Sequence, residues 1–107
     1  MIRHIVLVTF DPAVSEHGKQ AIFNDLRRLG TVIPGMSGFE AGSNISPEGL
    51  NRGFTHGFII DFADASARDL YLAHPDHRAA GGRLVRAALG GVEGILVLDI
   101  QCETEGR

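Results

Sequence analysis

From Phe54 to Phe62 every second residue is bulky: Phe54, His56, Phe58, Ile60 and Phe62 alternate with Thr55, Gly57, Ile59 and Asp61. A two-residue period places one set of side chains on one face of a strand. This segment therefore reads as a strand with one face sealed against apolar neighbours. Ile2 to Phe10 reads as another, rich in β-branched and aromatic residues and closed by Asp11 and Pro12. Its two faces are Ile2, His4, Val6, Val8, Phe10 and Arg3, Ile5, Leu7, Thr9. Both are largely apolar, which predicts cover on both sides.

The remaining elements follow from caps and breakers. Ser15 is placed to cap a helix running to about Leu29, with Ile22, Leu26 and Leu29 at helical spacing and Gly30 at its stop. Ile33-Pro34-Gly35 is a turn, Phe39 to Asn44 a short strand, and Ser46 to Gly49 a loop. Ser66 and Asp69 form a capping-box pattern opening a second helix to about Ala73. Pro75 suits the first turn of a third, to about Leu89, with Leu84, Val85, Ala88 and Leu89 inward. Gly90 and Gly91 end it, and Ile95 to Cys102 is the last strand.

Strand, helix, strand, strand, helix pair, strand, in 107 residues, makes one α+β domain over residues 1–107. The expected architecture is ferredoxin-like, an antiparallel four-stranded sheet with helices on one face. Strands one and three are expected to be central and parallel to each other. The second face needs cover, because Ile5, Leu7, Leu96 and Leu98 cannot all be left wet. One chain has no elements to spare for it, so the expected partner is a second copy, in a homodimer packed sheet on sheet.

A formal net charge of −3, with no basic run or stripe, argues against nucleic acid as a partner. No stretch approaches the ~20 apolar residues of a membrane span. The N-terminus lacks a signal pattern, so a reducing cytoplasmic home is the default. Cys102 is the one cysteine and reads as a small core or rim residue.

Chemistry concentrates between Tyr71 and His77, where Tyr-Leu-Ala-His-Pro-Asp-His brings a phenol and two imidazoles together at a helix end. His4 and His56 stand in apolar strands where Val or Leu would be cheaper. Parallel central strands would start at the same end of the sheet, ~4.8 Å apart, and bring His4 and His56 together. A helix returning from Phe62 would deliver Tyr71, His74 and His77 to that level. Each residue also has a plain structural reading: a core histidine satisfied by a backbone partner, a rim tyrosine, a helix-corner histidine. His17 reads as exposed. A three-histidine metal site from His4, His56 and His77 lacks the short ligand spacing such sites usually show; no metal and no cofactor are assigned.

The segments Met1 to Phe10, Ile33-Pro34-Gly35, Gly53-Phe54-Thr55-His56 and Tyr71 to His77 together resemble the stress-responsive A/B barrel (Dabb) family, over nearly the whole chain. The resemblance implies a dimeric α+β barrel. One plant member closes a linear polyketide by an intramolecular aldol reaction without an organic cofactor. By that resemblance His77 and Tyr71 would be catalytic and His4 and His56 would line the pocket; Phe23 and His74 are further candidates to bind substrate. The walls differ: Ala80 stands where that enzyme has a phenylalanine, and helix one offers Ile22, Phe23 and Leu26.

The expected function is thus a small-molecule pocket, acting as a cofactor-free lyase or cyclase with His77 as base and Tyr71 as hydrogen-bond donor. Its ligand would be small and apolar or carbonyl-containing. The alternative is a non-catalytic stress or ligand-binding dimer.

Overall fold

A computed structural model describes residues 1–103. The elements run β1 (Ile2–Val8), α1 (Glu16–Arg27), β2 (Met36–Ser43), β3 (His56–Phe62), α2 (Ala65–Ala73), α3 (Pro75–Ala87) and β4 (Ile95–Gln101), with short 3-10 turns after α1 and before β4. Ser15 caps α1 as its position predicts, its Oγ accepting from the Gly18 N–H at 3.0 Å. Helix α2 starts earlier than the Ser66 pattern suggests. Asp64 is its cap, extended in backbone and accepting from the Ala67 N–H at 2.9 Å. Helix α3 stops at Ala87 because Ala88 turns extended, which leaves Leu89 half-exposed rather than inward. Phe54 closes a turn on the Asn51 carbonyl and lies outside β3.

The sheet order is β2-β3-β1-β4, and every neighbouring pair is antiparallel. This is the ferredoxin-like sheet expected, with one correction: β1 and β3 are central but antiparallel, not parallel. Helix α1 carries the chain back so that β2 runs in the direction of β1, and β3 returns from β2 as a hairpin. It must therefore oppose β1. The register places His4 opposite Ile60 and His56 opposite Val8, so the two histidines lie toward opposite ends of the sheet.

The helices cover the face carrying Ile2, His4, Val6 and Val8 of β1 and Phe58, Ile60 and Phe62 of β3. With Leu26, Leu29, Tyr71 and Leu84 from the helical layer these form the core. On the opposite face Ile59, Leu98 and Ile100 remain 40–47% exposed. Arg3 and Asp61, cross-strand partners there, form a two-pronged ion pair at 2.9 and 3.2 Å. Among the described residues no helix is long and apolar enough to cross a membrane.

Gly94 pins the approach to β4 against the end of β1. Its carbonyl accepts from the Thr9 N–H at 2.9 Å, and the Leu89 N–H reaches the Thr9 carbonyl at 2.8 Å. A Cβ at Gly94 would sit 2.5 Å from the Leu89 carbonyl oxygen and 3.2 Å from that of Thr9. Both obstacles are backbone atoms and cannot swing aside as a side chain could. Gly94→Ala should therefore cost about 3 kcal/mol, in the upper range for overpacking, measured as a lower urea midpoint at unchanged slope.

Candidate functional site

Antiparallel pairing decides which groups meet. Helix α2 begins just beyond Phe62, at the end of the sheet where β1 starts. Tyr71 lies six residues into α2, about 9 Å along its axis. His4, opposite Ile60, lies two strand residues from that end, about 7 Å. The helix thus sets Tyr71 over His4, with ring centroids 5.7 Å apart. The corner between α2 and α3 then folds His77 back onto Tyr71, at a ring separation of 4.4 Å. His74 makes that corner: its Nδ1 accepts from the Asp76 N–H at 3.0 Å, capping α3, and Pro75 follows at the first helical position.

His4, Tyr71 and His77 line a cavity of about 230 Å³ between the helices and the sheet, walled otherwise by Val6, Leu26, Phe58, Leu84 and other apolar residues. Tyr71 is wholly buried. Its hydroxyl and the Nδ1 of His77 are both buried without a hydrogen-bond partner among the described residues. Burial pushes the Tyr71 phenol well above its ordinary range, so it stays protonated and can only donate or accept a hydrogen bond. Burial lowers the His77 imidazole. The Leu72 main-chain carbonyl opposes this by favouring the protonated ring, and nearby His4 adds to the lowering. A neutral imidazole beside a protonated phenol is a base beside a hydrogen-bond donor.

His56 does not join them. It sits at the other end of the sheet, its ring 5.2 Å from that of Phe10 and its Nδ1 2.8 Å from the Thr55 hydroxyl. With Phe23, Glu16, Lys19 and Ser43 it borders a smaller hollow of about 140 Å³ beside α1. Desolvation is the main cause that lowers its imidazole, and Lys19 lowers it further. Phe23 packs on Phe10 and Phe58 at 5.8 and 6.1 Å, away from Tyr71. Of the six candidate residues, the structure gathers His4, Tyr71 and His77, places His56 and Phe23 together elsewhere, and uses the His74 ring as a cap. Antiparallel register also rules out one metal ion shared by His4, His56 and His77, and the described residues hold no cluster of three His, Cys, Asp or Glu suited to a metal. A larger hollow, about 340 Å³, lies against the outer sheet face at Ile5, Leu7, Ile59 and Phe54. It lacks Tyr71 and His77 and belongs with the bare apolar surface.

One functional group escaped sequence reasoning. Asp99 is the register partner of His4 across β1 and β4. Its Oδ1 lies 2.7 Å from His4 Nδ1, and its Oδ2 takes a 3.1 Å hydrogen bond from Arg68. A carboxylate can only accept, so it holds a His4 proton on Nδ1. The signal was a lone carboxylate in the apolar run Ile95 to Ile100, legible only once β4 is paired to β1. Asp99→Ala should cost about 1–3 kcal/mol by leaving a buried imidazole unsatisfied. It should also shift the His4 tautomer, visible in its ring 15N resonances; unchanged resonances would remove Asp99 from this role.

Comparison with known proteins agrees with this architecture. The stress responsive A/B barrel domain matches residues 2–102. The stress-response A/B barrel domain-containing protein HS1 of Arabidopsis thaliana is 30% identical over 98 residues, 92% of this chain and 86% of that protein. Olivetolic acid cyclase of Cannabis sativa is 24% identical over 80 residues, 75% of this chain and 79% of the cyclase. The crystal structure of a dimeric ferredoxin-like protein of unknown function from Jannaschia sp. CCS1 superposes with a TM-score of 0.88 at 31% identity, covering 94% of this chain and 98% of that one. On the matched domain, the relatives and the shared fold, this chain belongs to the stress-responsive A/B barrel family.

Proposed function

We propose that the protein is a cofactor-free lyase or cyclase acting at a carbon beside a carbonyl, with His77 as base and Tyr71 as donor. One observation carries this reading: the Tyr71 hydroxyl and His77 Nδ1, two buried polar atoms without hydrogen-bond partners among the described residues, belong to side chains that line one apolar cavity. Leaving each unsatisfied costs about 1–3 kcal/mol, and native folds rarely keep such pairs without a use. A carbonyl ligand supplies what both lack. Its oxygen accepts from the Tyr71 O–H, and the adjacent C–H faces the free Nδ1 of His77. His77 takes that proton, the charge moves onto the oxygen as an enolate, and the Tyr71 hydrogen bond stabilises it. The enolate carbon then either takes the proton back or attacks a second carbonyl, whose new alkoxide takes the proton from His77; both routes restore neutral His77. His4, fixed by Asp99, packs against the Tyr71 ring and holds it in place.

Olivetolic acid cyclase, a relative named for ring closure, supports the same chemical class. The bare outer face and the dimeric neighbour support pairing with a second copy, sheet on sheet.

The direct test is proton exchange without knowledge of the substrate. The wild-type protein in D2O should accelerate deuterium uptake at the methyl group of acetophenone above that of free imidazole at equal concentration. No acceleration with acetophenone bound would leave a ligand-holding protein and overturn the catalytic reading.

A further inference from the structure

Helix α3 carries two adjacent glycines, Gly81 and Gly82, in its interior. Each costs about 1 kcal/mol relative to alanine there. Neither has the positive φ that would require glycine. Gly81 lies one helical turn beyond His77 and lines the cavity. A Cβ built on it would stand 3.9 Å from both Cε1 and Nε2 of the His77 ring, ordinary contact with no clash. Gly82 does not line the cavity; its Cβ would meet only the end of the Arg86 side chain at 3.5 Å. Backbone conformation therefore does not account for Gly81, and steric crowding does not forbid a side chain. What a side chain there would take away is room over the His77 ring.

The walls define what that room suits. Among the described residues no carboxylate, ammonium or guanidinium lines the cavity. Asp99 is tied up by the His4 ring on one oxygen and by Arg68 on the other. Tyr71 carries a buried hydroxyl with no hydrogen-bond partner among the described residues. An apolar cavity of about 150 Å³ accepts benzene, so about 230 Å³ holds a ring or short chain with a substituent. Leu72, Val92 and Val97 line the cavity while staying 42–70% exposed, which marks an apolar mouth.

We propose that Gly81 is the specificity-determining position of this cavity: its missing side chain admits an uncharged ligand with a carbonyl at one end and a compact apolar body lying over the His77 ring. The proposal deepens the functional reading above and rests on its site, but concerns binding rather than turnover.

The test uses a matched pair of probes, acetophenone and benzoate, with affinities read from ring resonances of His77 and Tyr71 during titration. Acetophenone should bind at least tenfold more tightly than benzoate. Gly81→Ala should raise the unfolding temperature yet weaken acetophenone several-fold, and Gly81→Val should weaken it more than tenfold. Gly82→Ala should raise the unfolding temperature with affinity unchanged. Equal binding of the two probes, or unaltered acetophenone affinity in Gly81→Val, would overturn the proposal. Tight, Gly81-dependent binding without methyl exchange would instead leave it standing and remove the catalytic reading.

Discussion

His77→Ala should slow methyl exchange of bound acetophenone by about 10²-fold or more, the usual contribution of a positioned general base, while the protein stays folded. The side chain is half-buried at the first turn of α3, and truncation removes its contact with the Leu72 main-chain carbonyl but no hydrogen bond of Nδ1 to the described residues. The pH dependence has a definite sign. Burial holds the His77 imidazole below its ordinary value of 6.5, so the basic form already dominates at neutral pH. Exchange should be flat near pH 7 and fall as pH drops through a midpoint below 6.5. A midpoint above 6.5, or an unchanged rate in His77→Ala, would remove this residue from the mechanism. Folding is linked in the same direction. His56 and His77 both have lowered values, so the stability tied to their neutral forms is complete above the unfolded value of ~6.5. It is lost as pH falls through the folded values.

Leu98→Asp should convert a dimer into monomers at micromolar concentration, raising the dissociation constant at least 100-fold. Leu98 is the register partner of Ile5 on the outer sheet face, and it is 47% exposed in the single chain. Ile59 and Ile100 share that face, so sheet-on-sheet pairing would bury a carboxylate among aliphatic side chains. An unpaired buried charge costs several kcal/mol, ample for that change. Sedimentation velocity reads the outcome directly. A wild-type monomer at about 100 μM protein would refute the pairing, and a variant as tightly dimeric as wild type would move the interface off this face.

Strand identity was legible because a two-residue period needs no partner to be seen. Phe58, Ile60 and Phe62 announce a buried face wherever the strand lies. Ser15 as a cap and Pro75 as a helix opener were equally local. The site was only partly legible. Tyr71 and His77 are six residues apart across a corner shaped by His74 and Pro75, so their meeting is almost a local event. His4 meets them, and His56 does not, for a reason outside either strand. The two-residue period sets each histidine among the apolar residues of its own strand, but the expected parallel direction of β1 and β3 placed them at the same end. Asp99 stayed hidden for the same cause, since its partner is 95 positions away.

Side-chain periodicity and capping chemistry, which act over a few residues, determined the elements, their faces and the apolar surface left over. Strand direction and register belong to the tertiary structure, because hydrogen-bonded pairing between distant segments sets them. A two-residue period looks the same whichever way the neighbouring strand runs. That pairing decided that one phenol and two imidazoles, not three, border the apolar cavity.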